Sequence, residues 1–355
     1  MSCPQCGEPT GASDAFCENC GAPLQASVPD RATSGGLTPP PVAQSAEGRS
    51  ARTHLIAPLH QKPDELPVPK CAWCGGQVGD DGWCTVCGAR ASNGREHLAE
   101  QPSPTVAAVT DKGRVHPRNE DAYAISTAGT WTALVVCDGV TTATDSDVAS
   151  LAAANAARDL LAAAPRTGRS PSEQERHWSE QLKAAALAAD EAAEKTASKS
   201  DDNPPSSTFV AAVADGSVIV AAWVGDSRAY WLPDAGPAEQ LSVDDSWASV
   251  QIAAGVPRDE AEAGPKAHAI TKWLGIDSPD IDASTSTTIA TTPGWLLVCS
   301  DGLWNYCSSA DDLRALAAKQ PADPLARAEA LVDWANEQGG HDNITVTLAR
   351  ITPEE

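Results

Sequence analysis

From Thr105 onward, the chain alternates short apolar runs that end at Gly or Asp with longer alanine-rich stretches. Runs of this length are typical of buried strands, and the alanine-rich stretches have the composition of helices. The predicted helices cover residues 147–164, 173–198, 310–319 and 323–338. The predicted strands cover residues 105–110, 122–127, 132–137, 208–214, 217–224, 228–232, 286–291, 294–299 and 343–350.

The order of these elements indicates a fold class. Asp215-Gly216 lies between two valine-rich runs and predicts a hairpin, and Gly225-Asp226-Ser227 predicts a second turn. Strands follow one another along the chain, and the helices are inserted in two groups. This pattern favours an α+β fold with antiparallel sheets flanked by helices over a parallel, doubly wound sheet.

The region before this domain is marked by cysteine pairs. Eight of the eleven cysteines form four Cys-x-x-Cys pairs, a spacing typical of metal binding. Four thiolates around one zinc leave no open position, so two small structural zinc ribbons are predicted, with unmetallated or redox-active pairs as the alternative. The predicted zinc ligands are Cys3, Cys6, Cys17 and Cys20 in a ribbon over residues 1–24, and Cys71, Cys74, Cys84 and Cys87 in a ribbon over residues 70–90.

Two linkers are predicted around the second ribbon. Residues 25–69 carry eight prolines among Gly, Ser, Thr and Ala, with no periodic pattern. Such a segment has no core of its own and is expected to be a disordered, extended spacer. A shorter hinge is predicted over residues 91–104, so the main domain is expected to span residues 105–352.

Charge and hydropathy exclude several functions. The formal net charge is -23, and residues 1–24 contain three acidic side chains and no Lys or Arg, which disfavours binding to nucleic acid or to an anionic membrane. No apolar run approaches the length of a membrane span, and the first residues do not resemble a signal peptide. A cytoplasmic protein without nucleic-acid or membrane partners is therefore expected.

Acidic residues recur at the predicted strand ends. Asp138 and Asp301 each follow a buried strand and precede glycine, Asp342 comes just before the last strand, and Glu120-Asp121 precede another. If these ends share one edge, the carboxylates repel one another unless cations bind, and Mg²⁺ or Mn²⁺ suits such oxygen ligands. Any single Asp-Gly pair can instead be an ordinary turn.

The ordered set of motifs is more specific than any of its members. Over about residues 105–352 the chain resembles the type 2C, metal-dependent serine/threonine protein phosphatases. The matching motifs are Asp111-x-Gly113, Asn119-Glu120-Asp121-Ala122, Val136-Cys-Asp138-Gly139, Ser207-Thr208, Val224-Gly225-Asp226-Ser227-Arg228, Ile270-Thr271-Lys272-Trp273-Leu274-Gly275, Ser300-Asp301-Gly302-Leu303-Trp304 and Asp342-Asn343.

This resemblance implies a four-layer α-β-β-α sandwich and the hydrolysis of phosphoserine and phosphothreonine in proteins. It implies that Asp138 bridges two Mn or Mg ions, that the Gly139 carbonyl binds one of them, and that Asp301 and Asp342 hold the other.

By the same resemblance, Glu120 and Asp121 orient metal-bound waters, and Asp226 helps Asp301 to hold a third ion. A water shared by ions about 4 Å apart would act as a hydroxide and attack phosphorus in line. The implied partners are phosphorylated proteins, among them a serine/threonine kinase or its substrates.

The sequence departs from the family where an arginine usually grips the substrate phosphate. That position is His116, and Arg118 is the predicted replacement because a guanidinium binds phosphate with two hydrogen bonds. The alternative is that Arg118 is a solvated charge and His116 is structural. The missing arginine supports a second hypothesis, a catalytically weak binding or scaffold protein with the phosphatase fold.

Overall fold

A computed structural model of the chain describes residues 76–79, 84–86, 94–166, 170–198, 202–257, 260–261, 263–264, 266–267, 269–278 and 280–353. The chain separates into one unit from Met1 to Glu65 and a second from Leu66 to Glu355, and all the described residues belong to the second.

Eleven strands are present in the described residues. They are β1 (His97–Ser103), β2 (Val106–Asp111), β3 (Ala122–Ala128), β4 (Trp131–Cys137), β5 (Phe209–Asp215), β6 (Val218–Val224), β7 (Arg228–Pro233), β8 (Glu239–Gln240), β9 (Ser284–Ile289), β10 (Gly294–Cys299) and β11 (Ile344–Ile351). They form a six-stranded sheet in the order β1-β2-β11-β10-β7-β8 and a five-stranded sheet in the order β3-β4-β5-β6-β9.

The strands pair antiparallel throughout both sheets. The helices of the described residues are α1 (Ser146–Ala163), α2 (Pro171–Glu194), α3 (Trp247–Ala253), α4 (Asp301–Trp304), α5 (Ala310–Ala318) and α6 (Pro324–Gln338).

Three apolar layers separate the elements. Leu134, Ile219 and Leu296 belong to the core between the two sheets. Alanines of α1 and α2 pack with Trp178 on the outer face of the five-stranded sheet, and their small side chains let the helices approach it closely. On the other side, Leu331 of α6 packs against the six-stranded sheet. The predicted α-β-β-α sandwich is thereby confirmed.

The elements that the sequence pattern missed have little apolar signal. Residues 91–104 are predicted to be a hinge, but β1 occupies His97–Ser103 and pairs with β2 at the edge of the sheet. Six of its seven residues are exposed, so no apolar run announces it. The two-residue strand β8, the seven-residue helix α3 and the four-residue helix α4 are also absent from the prediction because they are too short to show a period.

Most of the predicted ribbons and the linker over residues 25–69 lie outside the described residues. Of the eight predicted zinc ligands, Cys84 is described. It is buried, forms an antiparallel bridge with Val78, and accepts a hydrogen bond at Sγ from the backbone N–H of Val86 at 3.4 Å.

Within the described part of the chain, no helix combines the length and the apolar character that crossing a bilayer requires.

Candidate metal centre and active site

The predicted site residues converge on one edge of the sandwich. Cys299, the last residue of β10, pairs with Val346 near the start of β11 and with Arg228 at the start of β7. The flanking carboxylates therefore leave the six-stranded sheet at the same edge. In the other sheet, Ala122 at the start of β3 pairs with Cys137 at the end of β4. We call the resulting set the carboxylate rim; it consists of Glu120, Asp121, Asp138, Asp226, Asp301 and Asp342.

Asp121 connects the two sheets at this rim. Its Oδ2 accepts hydrogen bonds from Ser300 Oγ at 2.6 Å and from Thr345 Oγ1 at 2.7 Å, both in or next to strands of the opposite sheet. Burial raises the pKa of Asp121 to about 6, although these two hydrogen bonds lower it.

Three further carboxyls of the rim, those of Asp138, Asp301 and Asp226, also have a raised pKa. Burial and then the neighbouring charges of Asp121 and Asp301 raise the pKa of Asp138 well above its usual value. Burial and then the charge of Asp342 do the same to Asp301. The pKa of Asp226 rises to about 7, first through burial. Acidic side chains are thus concentrated in one place, and repulsion from their acidic neighbours contributes to the raised pKa of Asp138 and Asp301.

The chemistry of the rim fits hard divalent cations. Asp301 Oδ1 is buried and accepts no hydrogen bond from the described residues. Carboxylate and backbone oxygens are the donors that Mg²⁺ and Mn²⁺ prefer. In the described part of the chain, no group of three or more His, Cys, Asp or Glu side chains already surrounds a single ion position. Hydrated ions held by one or two side chains and several waters match that arrangement.

Gly139 and Gly302, which follow Asp138 and Asp301, lie where the backbone of another segment packs too closely for a side chain. A Cβ on Gly139 would lie 2.8 Å from the carbonyl oxygen of Glu120, and a Cβ on Gly302 would lie 2.0 Å from that of Asn343. Neither glycine has a positive φ. Close approach of the backbone, and not turn geometry, therefore requires glycine at these two positions.

Glu120 is held from three directions. Its Oε1 accepts hydrogen bonds from Arg118 Nε at 2.8 Å, from Arg118 Nη2 at 2.6 Å and from Ser146 Oγ at 2.6 Å. Its backbone N–H donates to Asn343 Oδ1 at 2.7 Å. Arg118 also lies 3.5 Å from Asp147. The guanidinium is therefore engaged by carboxylates, and phosphate binding by Arg118 stays a prediction.

His116 lies inside the rim. Its Nε2 is 3.3 Å from Asp342 Oδ1, and its Nδ1 is 3.9 Å from Glu120 Oε2. The side chain is 17% exposed, so it is largely enclosed by the residues around it.

Several supporting residues were missed by the sequence reasoning. Arg228 makes two hydrogen bonds to Asp244, of 2.8 and 2.7 Å, and its guanidinium lies 3.7 Å from the ring centre of Trp304. Arg95, in the segment taken for a hinge, donates to the Asp121 carbonyl oxygen at 2.7 Å. A buried Thr within an apolar strand can indicate a side-chain contact of this kind from the sequence. Thr345, which donates to Asp121 Oδ2, is an example.

Comparison with known proteins places the chain in a family. Residues 113–338 match the model of the family described as Protein phosphatase 2C, which is more than half of the chain. The chain therefore belongs to the protein phosphatase 2C family.

Two sequence relatives illustrate the similarity. The chain is 33% identical over 152 residues to the serine/threonine phosphatase stp of Listeria innocua, covering 42% of this chain and 59% of that protein. It is 36% identical over 148 residues to the protein phosphatase PhpP of Streptococcus pneumoniae, covering 41% of this chain and 58% of the relative. The chain thus spans less than two thirds of the length of these relatives.

Solved structures extend the similarity in fold. The serine/threonine phosphatase Stp1 from Staphylococcus aureus is 26% identical with a TM-score of 0.58, covering 72% of this chain and 98% of that one. The Mycobacterium tuberculosis serine/threonine phosphatase PstP/Ppp is 25% identical with a TM-score of 0.56, covering 70% and 98% respectively.

Proposed function

We propose that this chain hydrolyses phosphoserine and phosphothreonine in proteins, using two divalent cations, Mn²⁺ or Mg²⁺, at the carboxylate rim. One observation carries the proposal. Carboxyls from both sheets of a protein phosphatase 2C domain meet at one edge, where burial and mutual repulsion raise the pKa of Asp138 and Asp301. Divalent cations that bind among these carboxyls would neutralise their repulsion.

The residues that would hold the cations are Asp138, the Gly139 carbonyl, Asp301 and Asp342, with Asp226 available for a third. When bound, the ions supply charge neutralisation for the phosphate and acidify water. Two hydroxyls of the chain orient the Asp121 carboxylate. Ser300 and Thr345 donate to its Oδ2, which leaves Oδ1 to accept a hydrogen bond from water.

Turnover of p-nitrophenyl phosphate and of a phosphothreonine peptide by the full chain tests this function. Activity should require Mn²⁺ or Mg²⁺, disappear in EDTA and return when Mn²⁺ is added. Asp301→Asn should lower kcat on the order of 10³-fold, because one rim ligand is lost. Asp234→Asn, at the other end of the same sheet, is the matched control and should leave kcat unchanged. Undiminished turnover by the Asp301→Asn variant contradicts the proposal.

A second candidate is a catalytically weak protein that binds phosphorylated partners. The observation that favours it is the engagement of Arg118 by Glu120 and Asp147, with His116 at the family's arginine position. Phosphopeptide binding measured by calorimetry in the presence of Mn²⁺, together with turnover, separates the two. Binding without release of phosphate supports the weak-enzyme reading.

For the cysteine pairs, we propose two structural zinc ions and a role in recruiting a protein partner, a serine/threonine kinase or its substrates, in the cytoplasm. The bridge between Val78 and Cys84 and the N–H to sulfur bond at Cys84 support a compact turn there. Elemental analysis should find two zinc ions per chain, and a zinc-free protein with intact fold would exclude this role.

A further inference from the structure

The imidazole of His116 is positioned between two rim carboxylates. One ring nitrogen, Nε2, faces Asp342 at 3.3 Å, and the other, Nδ1, faces Glu120 Oε2 at 3.9 Å. Asp342 is one of the residues that the proposed function assigns to a cation. A neutral imidazole nitrogen at that distance can bind the same ion.

The spacing fits two neighbouring ligands on one ion. In octahedral coordination with bonds of 2.0–2.1 Å, adjacent ligand atoms are about 3 Å apart. The observed 3.3 Å between His116 Nε2 and Asp342 Oδ1 is close to that value. On that ion, His116 and Asp342 would be joined by Asp301, which the proposed function also assigns to the cations, and by waters.

On the opposite side of the ring, Nδ1 is 3.9 Å from Glu120 Oε2, which is longer than a direct hydrogen bond and leaves a contact through a bridging water. A ligating histidine almost always donates its other N–H to a carboxylate, which fixes the ring and makes the ligating nitrogen more basic. Glu120 offers Oε2 on that side, while its Oε1 is held by Arg118 and by Ser146 at 2.6 Å. Arg118 therefore orients Glu120, and Glu120 is placed to orient His116.

We propose that His116 is a nitrogen ligand of the cation held by Asp342, which gives this centre a preference for Mn²⁺ and other first-row transition ions over Mg²⁺. The proposal rests on the proposed function, because it assumes that the rim binds divalent ions. Imidazole suits transition metals, whereas carboxylate and water suit Mg²⁺, so one nitrogen donor shifts the selectivity. The competing arrangement is an imidazolium that only pairs with the two carboxylates.

Electron spin echo envelope modulation of the Mn²⁺-loaded full chain tests the ligand directly. The wild type should show nitrogen coupling to Mn²⁺, and His116→Gln should abolish it. His97→Gln is the matched control, because His97 Nδ1 also pairs with a carboxylate, that of Asp111, at 2.8 Å but outside the rim. Coupling should persist in that variant.

A second variant tests the inference even if His116→Gln does not fold. His116→Arg introduces the residue usual in the family, and the ratio of Mn²⁺ to Mg²⁺ affinity, measured by calorimetry, should fall about tenfold or more. Bound Mn²⁺ without nitrogen coupling, coupling that survives in His116→Gln, or an unchanged affinity ratio in His116→Arg overturns this inference and leaves the proposed function standing. A wild type that binds no Mn²⁺ overturns both.

Discussion

Charged side chains cluster at both ends of the six-stranded sheet. Arginines pair with an aspartate at one end, and carboxyls gather at the other. At the end away from the carboxylate rim, Arg350 donates two hydrogen bonds to Asp234, and Arg327 lies 4.5 Å from the ring centre of Trp295. We call this the arginine end, with Arg314 as its third cation. Hydrogen bonding to Arg350 lowers the pKa of Asp234, whereas burial raises the pKa of Asp138 and Asp301 at the rim.

The charged side chains of the arginine end stabilise the fold, whereas the carboxyls of the rim are proposed to bind cations. A cleft of about 470 Å³ opens at the arginine end, where Arg350 pairs with Asp234 and Arg314 lies 3.4 Å from Asp311. Arg327 donates to the carbonyl oxygens of Ala317 and Pro321 at 2.7 and 2.9 Å, closing the end of α5. At the rim, Asp301 Oδ1 has no such partner in the described residues. Size alone therefore does not identify the functional end, whereas the gathering of buried carboxyls from both sheets does.

The largest effect on stability is expected at Arg327, which is 7% exposed. Arg327→Met keeps the apolar stem and removes the donors to buried carbonyls, so the free energy of unfolding should fall by about 3 kcal/mol. Urea unfolding measures it, and kcat should not change. Arg314→Met is the control, since its ion pair with Asp311 at 3.4 Å is on the surface and should be worth less than about 1 kcal/mol. Equal losses in both variants would mean that the carbonyl contacts contribute nothing.

A smaller effect is expected from pH on the protein freed of Mn²⁺ and Mg²⁺. The folded-state pKa values of Asp121 and Asp226, about 6 and about 7, lie above the ordinary 3.8, so the native state holds more protons than the unfolded state between those values. The contribution of these two carboxyls to stability should be fully present below about pH 4 and be lost as pH rises to about 7. The melting temperature should drop by about 5 °C over that range.

Two additions sharpen this pH experiment. Saturating Mn²⁺ should remove the decline, because the ions compensate the repulsion. Asp226→Asn should flatten it in the metal-free protein, because the variant has one fewer carboxyl to ionise. A metal-free melting temperature that rises with pH would contradict the electrostatic account of the rim.

The smallest effect is expected for Asp234 at the arginine end. Asp234→Asn breaks the pair with Arg350, but the Asp234 side chain is 51% exposed, so the cost at pH 7 should be below about 1 kcal/mol. The lowered pKa gives the opposite sign to that of the rim: the contribution is present above the ordinary pKa and is lost as pH falls through the folded-state value. Chemical denaturation at pH 7 and pH 3 checks both statements. If the free energy of unfolding fell as much as in Arg327→Met, the distinction between this exposed ion pair and the buried Arg327 would be wrong.

The sequence predicts the rim because strand ends are visible in it. Asp138 and Asp301 follow apolar runs, and antiparallel pairing places each of these strand ends beside the start of a neighbouring strand, β3 for Asp138 and β7 for Asp301. The partners of these carboxylates are not visible, because they depend on how the two sheets face each other. The contact of Ser300 with Asp121 joins residues 179 positions apart, and β1 has no apolar run to reveal it.

The crowding at Gly302 and Gly139 has a practical meaning for protein engineering. A methyl group at either position overlaps a backbone carbonyl oxygen, so a substitution there would displace the main chain that carries Asp301 or Asp138. A side chain such as that of His116 is therefore a better position than these glycines at which to vary the proposed ion preference.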